Sequence, residues 1–311
     1  MSEQELSARI AALESRMDQV EQRLGAKLDH IGKRLEEITS FFATRTSRMM
    51  NAQSLYLGDH TALTFLETGQ RIYVDTRSQD IGVHLLTVGR WESNYLELFR
   101  RLVKPGHTVF DIGANHAFYA LHAAKLTGAT GQVEAFEPNP RLAELSAASL
   151  RANGYKWARL HAVAVGDAKG QAVLTFNPSM SGGGNIQMNP ARSKAESVTV
   201  DVVVLDEMFP DPSYTVDVIK MDVEGYEGRA LRGMAQLLER SPDVRIMMEF
   251  APALMARSGV GASEVAAQFQ GLGLSAWLIG GTGKLEAVSW GKLANQPGGL
   301  MNILVAREPP A

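Results

Sequence analysis

The chain has 311 residues and a formal net charge of −3, with 31 basic against 34 acidic side chains. This balance disfavours a nucleic-acid-binding protein, since such proteins usually carry a basic excess. The absence of cysteine excludes disulfides, thiolate metal sites and a cysteine nucleophile. The N-terminus lacks a secretory signal and no apolar run approaches about 18 residues, so we expect a cytoplasmic protein without a transmembrane segment.

The first 45 residues carry an apolar heptad pattern. One row recurs every seven residues, at Ile10, Met17, Leu24, Ile31 and Ile38. A second row contains Leu6, Leu13 and Val20 and, from the middle of the segment onward, Leu28, Leu35 and Phe42. The pattern predicts a coiled coil over 1–45, with a seam that drifts around the helix, and hence a homo-oligomer, a dimer or trimer. An amphipathic helix folded back on the following domain is the alternative, and 46–70 is interpreted as a linker.

Strand-like and helix-like segments alternate through residues 71–311, which we interpret as the main domain. Strands are predicted at 71–76, 108–112, 132–136, 158–163, 216–221, 244–250, 274–279 and 302–306, and helices at 91–103, 117–126, 140–153, 228–239 and 263–272. This order predicts a doubly wound α/β domain with a mostly parallel sheet. Further strand-like runs at 172–176 and 197–205 predict an inserted hairpin over 170–205, with a mobile tip around Ser181–Asn185.

The strand predicted at 108–112 carries an acidic residue, Asp111, next to its end and is followed by a glycine, in the sequence VFDIGAN. Ligands of open α/β sheets bind at the carboxyl ends of strands, and Gly113 would allow a ligand to approach the backbone closely. The phosphate-binding glycines of dinucleotide enzymes are missing, which disfavours an NAD or nucleotide-sugar enzyme. Asp111 instead suits a cofactor that carries a positive charge and an amino group, as S-adenosylmethionine does.

Two further acidic motifs end neighbouring strands. Glu137 ends the strand at 132–136, where a carboxylate can accept two ribose hydroxyls; a charge at a helix N-terminus is the alternative. Lys220, Asp222 and Glu224 alternate at the end of the strand at 216–221, which puts them on one side of the chain. They predict a solvent-facing cleft, and a solvated strand end with ion pairs is the alternative.

The order of these motifs, DIGAN, FEPNP, AVGD, KMDVEGYEGRALRG and MMEF, resembles the FkbM family of S-adenosylmethionine-dependent methyltransferases. The resemblance extends from about Ile72 to Ala306. It implies a class I methyltransferase fold, with a seven-stranded sheet whose last strand is antiparallel, and S-adenosylmethionine as the methyl donor. Ala117 stands where the family pattern usually has a second glycine.

The resemblance also assigns cofactor contacts by position. The methionine part would be lined by Asp111, Gly113, Ala114 and Asn115, with Glu92 closing over its end. Glu137 would hold the ribose, and Asn139 and Ala164 would lie near the adenine.

A hydroxyl acceptor must lose its proton during methyl transfer. Asp222 and Glu224 are the candidate bases, with Lys220 fixing or tuning them. His116 is a second candidate because its ordinary pKa is near neutrality, and a structural role is its alternative. No resident metal is predicted, although the carboxylates of Asp222 and Glu224 could hold Mg²⁺.

The acceptor end of this site is rich in acids and amides, which suits a sugar hydroxyl. Asn185 and Glu249 are the predicted acceptor contacts. We predict O-methylation of a sugar in a bacterial surface glycan, with the coiled coil docking to a glycosyltransferase assembly at the inner face of the membrane. The alternatives are a natural-product (polyketide-type) O-methyltransferase and a catalytically degenerate coiled-coil scaffold.

Overall fold

A computed structural model describes residues 3–51, 54–185, 195–281, 283–296 and 299–309. The chain divides into two compact units, Met1–Met50 and Asn51–Ala311. None of the described helices is long and apolar enough to cross a membrane.

The first unit is a single helix, α1 (Glu3–Asn51). It continues beyond residue 45, where the sequence analysis ends the coiled coil. Gly25 and Gly32 do not interrupt it, although each weakens helix formation by about 1 kcal/mol. Its apolar heptad side chains from Met17 to Phe42 are exposed.

The second unit alternates strands and helices as expected. Its strands are β1 (Leu55–Gly58), β2 (Thr61–Phe65), β3 (Arg71–Asp75), β4 (Thr108–Ile112), β5 (Gln132–Phe136), β6 (Ala158–His161), β7 (Ala164–Val165), β8 (Gly170–Asn177), β9 (Met180–Asn185), β10 (Glu196–Val203), β11 (Val218–Met221), β12 (Arg245–Phe250), β13 (Ser275–Ile279), β14 (Leu285–Val288) and β15 (Met301–Ala306). Its helices are α2 (Ile81–Val88), α3 (Ser93–Leu102), α4 (Phe118–Thr127), α5 (Pro140–Ala152), α6 (Leu205–Met208), α7 (Glu227–Arg232), α8 (Ala235–Glu239), α9 (Pro252–Arg257), α10 (Ala262–Gly271) and α11 (Trp290–Ala294).

The main sheet has eight strands in the order β14-β13-β15-β12-β11-β4-β5-β6. The strands from β12 to β6 pair in parallel, and β15 is antiparallel to both of its neighbours. This arrangement confirms the predicted fold class and the antiparallel last strand. The sheet has one strand more than the predicted seven, because β14 pairs with β13 at one edge.

The two faces of the main sheet carry separate apolar cores. Phe110 and Ile112 of β4 join the core that also contains residues of α7, α8 and α10, whereas Val109 joins the core beneath α3 and α4. Both faces of the central strands are therefore buried, as parallel sheets require. Continuous apolar strands of this kind are what made β4, β5 and β11 predictable.

The predicted linker at 46–70 needs correction. Residues 55–65 form β1 and β2, which pair with β3 in a three-stranded antiparallel sheet. Ile72 and Val74 of β3 are fully buried, which anchors this sheet to the second unit. Residues 55–65 thus belong to the folded domain.

The helix predicted at 228–239 is split into α7 and α8 by Gly233. A Cβ atom at Gly233 would lie 1.9 Å from the carbonyl oxygen of Gly166. The Gly233 carbonyl also accepts a hydrogen bond from the Asp206 amide at 2.9 Å, outside the helix. The chain therefore leaves helical geometry where it passes close to a neighbouring loop.

The insertion and β7 together form a second sheet in the order β7-β10-β8-β9. β8 and β10 pair antiparallel, as the hairpin prediction requires. The predicted mobile tip is corrected in part, because Met180–Asn185 forms β9 and pairs with β8. Residues 186–194 of the predicted loop lie outside the described residues.

Candidate functional site

A pocket opens at the carboxyl ends of the central parallel strands, where ligands of open α/β sheets bind. Gly113, Glu137 and Asp222 line it from the ends of β4, β5 and β11, and Ser181 and Gly182 of β9 also contribute. The pocket has about 950 Å³ of empty volume, including its open mouth. The fold thus brings the three predicted motifs to one cavity.

Gly113 brings the loop after β4 into contact with the loop after β11. Its backbone has φ +84, and a Cβ atom there would lie 1.8 Å from the Asp222 carbonyl oxygen. The amides of Gly113 and Ala114 both donate to the Phe136 carbonyl at 2.9 Å. The sequence pattern predicts that Gly113 makes room for a ligand. In the structure, the atoms closest to the added Cβ belong instead to the backbone after β11.

We expect Gly113→Ala to destabilise the fold by about 2–3 kcal/mol, because it adds a steric clash to a left-handed backbone. Gly154→Ala is the matched control. Gly154 has φ +71 with no atom within 4 Å of the added Cβ, so only the conformational cost of about 1 kcal/mol should appear. Urea unfolding of both variants measures the difference, and equal losses would contradict the steric explanation.

Glu137 is 6% exposed at the end of β5. Its Oε2 accepts a hydrogen bond from the Asn115 amide at 2.7 Å and its Oε1 accepts one from the Asn139 amide at 2.8 Å. Burial raises the pKa of Glu137 to about 7, and the two amides oppose that shift. Each carboxylate oxygen retains acceptor capacity, so the group can still accept two hydroxyls from the pocket.

The other residues expected near the nucleoside also line the pocket. Asn139 caps α5, since its side chain accepts from the amides of Arg141 at 3.0 Å and Leu142 at 3.4 Å. Ala164 is buried in β7. Ala114, which the resemblance assigned to the methionine part, is buried beside Gly113 and also lines the pocket. Asn139 therefore has a structural role that its predicted cofactor contact did not include.

A clamp between Asp80 and β9 was not predicted. The Asp80 carboxylate accepts hydrogen bonds from the amides of Ser181 at 3.1 Å and Gly182 at 2.9 Å. Burial raises the pKa of Asp80, but hydrogen bonds from the Gly182 amide and the Ser78 hydroxyl outweigh burial, so the pKa is lowered. The Asn115 side chain donates to the Ser181 carbonyl at 2.8 Å, which ties β9 to the pocket loop. Local sequence holds no signal for a contact about a hundred residues apart.

His116 does not have the surroundings of a catalytic base. It is fully buried, and its Nε2 accepts a hydrogen bond from the Asp75 amide at 3.2 Å. Its Nδ1 therefore carries the proton and donates to Asn115 Oδ1 at 2.5 Å. Burial lowers the pKa of His116 to about 4. Both nitrogens are engaged, so the structure favours the alternative of a structural histidine.

Lys220 is the buried cation of the site. Its Nζ donates to Asp222 Oδ2 at 3.2 Å and to the Gly113 carbonyl at 3.5 Å, and it lies 5.3 Å from the centre of the Tyr119 ring. Burial lowers the pKa of Lys220, but Asp222, Asp111 and Glu92 more than offset this and raise it above its ordinary value. Lys220 therefore stays charged and cannot act as a base at neutral pH.

Asp111 lies behind the pocket surface rather than on it. It is fully buried, and neither carboxylate oxygen makes a well-formed hydrogen bond with a described residue. Burial raises its pKa to about 6, although the Lys220 charge and the Ala120 amide lower it. Asp111 is therefore not among the residues that line the pocket, where the resemblance had placed it against the cofactor.

Carboxylates surround the end of β11. Asp222, Glu224 and Glu249 each offer an oxygen within 4.8 Å of the others. Burial raises the pKa of Glu224 to about 8, and the charge of Asp222 adds to the shift. The pKa of Glu249 is likewise raised to about 8 by burial and by Asp222 and Glu224. At neutral pH these two carboxyls hold protons that an ordinary glutamate would release.

Glu92, the predicted residue at the methionine end, also lines the pocket. Its Oε2 accepts a hydrogen bond from the Tyr119 hydroxyl at 2.8 Å, and burial raises its pKa. Asn185, a predicted acceptor contact, lies in β9 opposite Thr175, and its side chain is outside the described residues. Ala117 has φ +59 with its methyl group fully buried, which explains why glycine suits this position.

Residues 111–269 match the sequence profile of the FkbM methyltransferase domain, just over half of the chain. The chain therefore belongs to this family of S-adenosylmethionine-dependent methyltransferases. No curated protein sequence matches it.

Solved structures with a similar fold include three methyltransferases. The FkbM methyltransferase of Methylobacillus flagellatus shares 14% identity, over 74% of this chain and 56% of that one, with a TM-score of 0.41. A methyltransferase from Aquifex aeolicus shares 16% identity, over 73% and 93%, with a TM-score of 0.38. An O-methyltransferase from Thermotoga maritima shares 12% identity, over 84% and 87%, also with 0.38. At these sequence identities and TM-scores, the three structures carry no information about the methyl acceptor of this chain.

Proposed function

We propose that this methyltransferase O-methylates a sugar hydroxyl of a bacterial surface glycan. The observation that carries the proposal is the group of three carboxylates at the ends of β11 and β12, Asp222, Glu224 and Glu249. Asp222 and Glu224 line the pocket. Carboxylates accept hydrogen bonds from hydroxyl groups, and several together suit a ligand with several hydroxyls. Lys220 is already bonded to Asp222, so it is not available to pair with an acidic acceptor. A neutral sugar therefore fits better than a phosphorylated or carboxylated one.

The pocket residues fit the cofactor that the family uses. We propose that Glu137 accepts the ribose hydroxyls, because its buried carboxylate lines the pocket and retains acceptor capacity. The loop from Gly113 to Asn115 would contact the methionine part, with Glu92 beside it. The adenine would lie against Asn139 and Ala164.

Bound S-adenosylmethionine supplies a methyl group made electrophilic by its sulfonium. The acceptor oxygen would bond to that carbon as the carbon–sulfur bond breaks and S-adenosylhomocysteine leaves, and the hydroxyl proton would pass to a base. We propose Glu224 as this base, because it lines the pocket and its raised pKa gives it affinity for a proton. Lys220 would hold Asp222 in place, and Asp222 would orient the acceptor hydroxyl.

We further propose that α1 assembles the enzyme into a homo-oligomer and docks it to a glycosyltransferase assembly, on the cytoplasmic face of the membrane. The exposed apolar side chains of α1 support this part of the proposal. An isolated apolar stripe on a helix is stable in water only when a partner covers it.

A natural-product acceptor is the second candidate. It is favoured by the apolar part of the pocket lining, which includes Ile81, Trp91, Leu174 and Phe176. Such side chains would suit a macrocyclic or aromatic acceptor better than the carboxylates do.

A scaffold without catalytic activity is the third candidate function, and it requires that the pocket bind no cofactor.

The test is a methyl-transfer assay with isotopically labelled S-adenosylmethionine and three acceptors. These are a neutral oligosaccharide, its uronic-acid counterpart and a hydroxylated macrolactone, with the methylated position read by mass spectrometry. We expect transfer to the neutral oligosaccharide and at least tenfold less to the acidic one. Turnover of the macrolactone alone would replace the glycan proposal, and no cofactor binding would favour the scaffold.

Methyl transfer is expected to persist when divalent metals are removed with EDTA. The positive charge of Lys220 already balances Asp222, and the protons held by Glu224 and Glu249 reduce the remaining negative charge. Initial rates with EDTA and with added Mg²⁺ should agree within about twofold. A rate that collapses in EDTA and returns with Mg²⁺ would instead assign Asp222, Glu224 and Glu249 as ligands.

A further inference from the structure

The apolar stripe of α1 has two heptad registers. Its described members, each between 46% and 66% exposed, are Met17, Val20, Leu24, Leu28, Ile31, Leu35, Ile38 and Phe42. Up to Leu24, the seven-residue row of Ile10 and Met17 occupies position a, and Leu13 and Val20 occupy d. From Leu24 onward, Leu28, Leu35 and Phe42 occupy a, and Ile31 and Ile38 occupy d. The offset between the registers is a stutter, which locally unwinds a supercoil without ending it.

The charged side chains that flank the apolar stripe differ between the e and g positions of the heptad. Every g position from residue 9 to residue 34 is basic: Arg9, Arg16, Arg23, Lys27 and Arg34. The e positions of the same two registers carry no basic residue: Glu14, Glu21, Gly25, Gly32 and Thr39. The e and g side chains flank the apolar seam, and their charges set which helices pair and in which direction.

We infer that α1 pairs with further copies of this chain in a parallel, in-register coiled coil of more than two strands. The inference rests on the self-association proposed above and adds its direction and strand number. In a parallel arrangement a g residue faces the e residue of the next heptad on its neighbour. Arg16 then meets Glu21, and Lys27 and Arg34 meet Gly32 and Thr39, so no like charges are opposed.

An antiparallel arrangement places g residues against g residues. Because all five are basic, any antiparallel alignment that keeps the apolar seam in contact opposes arginine and lysine along its length. Like charges at such positions disfavour the pairing. The charge pattern therefore selects the parallel direction, and the partner with this pattern is a second copy of the same chain.

The second register decides the strand number, because the first is mixed: Ile10 at a with Leu13 at d is the two-stranded pattern, whereas Met17 at a with Val20 at d is not. Leu28 and Leu35 occupy a, whereas Ile31 and Ile38 occupy d. Leucine at a with isoleucine at d shifts parallel coiled coils from dimers to trimers or tetramers. We therefore expect three or four chains.

Because the chain contains no cysteine, single-thiol variants of the full-length protein test the direction. Met17→Cys and Ile38→Cys place a thiol near either end of the stripe, roughly 32 Å apart along the helix. A short bis-maleimide should cross-link each variant to itself. Lys33→Cys, at position f on the outer face, is the control and should not cross-link. In an antiparallel assembly neither variant would cross-link alone, but the two co-expressed variants would cross-link to each other.

Light scattering of the unmodified chain gives the strand number. A mass of three or four chains supports the inference, and a mass of two overturns the strand number. A single-chain mass overturns self-association altogether, whereas an oligomer that cross-links residue 17 only to residue 38 overturns the direction alone. Neither measurement depends on the acceptor, so failure here is distinguishable from failure of the glycan proposal.

Discussion

Replacing Glu137 by glutamine should weaken the binding of S-adenosylmethionine on the order of 100-fold, about 2.7 kcal/mol. The physical reason is the loss of a buried carboxylate that the proposed ribose contact needs. Hydrogen bonds to a charged group contribute about 1.5–3 kcal/mol each. The glutamine amide must also face the backbone N–H of Asn115 or Asn139, where the carboxylate now accepts. Titration calorimetry with S-adenosylmethionine and S-adenosylhomocysteine measures both affinities.

Glu144→Gln is the matched control for this prediction. It makes the same chemical change on α5, but its side chain is 74% exposed and the affinity should not change. Thermal unfolding of both variants separates weak binding from poor folding, and Glu137→Asp, which keeps the charge, should recover part of the affinity. Undiminished binding by a folded Glu137→Gln variant would refute the ribose contact.

The carboxyl group of Glu137 also predicts how cofactor affinity depends on pH. Burial raises the pKa of Glu137 to about 7, and the ribose contact needs the ionised form. Affinity should therefore be complete well above pH 7 and fall by up to tenfold per pH unit below it. A flat profile between pH 6 and 8 would mean that Glu137 titrates outside this range or does not contact the cofactor.

Sequence reasoning succeeded where local pattern and burial agree. The strands β4, β5 and β11 are short apolar runs, and the fold buries both faces of those runs. The acids Asp111, Glu137 and Asp222 lie at or within one residue of their carboxyl ends. Because parallel strands end at one edge of a sheet, their terminal acids were expected to meet. The pocket lining shows that Glu137 and Asp222 do so.

Contacts between distant segments account for most of what sequence reasoning missed. β9 reads Met-Ser-Gly-Gly-Gly-Asn, which has low strand propensity. It nevertheless pairs with β8, and its Gly182 amide donates to the Asp80 carboxylate. Asp111 lies next to the end of an apolar strand, two residues before a glycine, and the sequence does not reveal that its carboxylate is fully buried. The structural role of His116 was likewise hidden from the sequence, because the Asp75 amide that donates to its ring lies in a separate sheet.

Replacing Glu224 by glutamine should lower the rate of methyl transfer by about 10²–10⁴-fold, because it removes the proposed base. Affinity for S-adenosylmethionine should change little, since the proposed ribose contact lies at Glu137. Single-turnover rates with saturating cofactor measure the chemical step. Glu286→Gln, an exposed glutamate of β14, is the matched control and should leave the rate unchanged. A Glu224→Gln variant that retains more than a tenth of the rate would exclude Glu224 as the base.

The pH profile of the same reaction gives a second, independent measure. A base acts in its ionised form, so with a pKa of about 8 the rate should rise with pH and level off above 8. Glu249 lies in the same group and titrates in the same range, so the midpoint belongs to the pair. Glu249→Gln removes a neighbouring negative charge and should move the midpoint of the rate profile to lower pH. If the midpoint of the rate profile is unchanged in Glu249→Gln, then the titration of Glu224 and Glu249 does not set the pH dependence of methyl transfer.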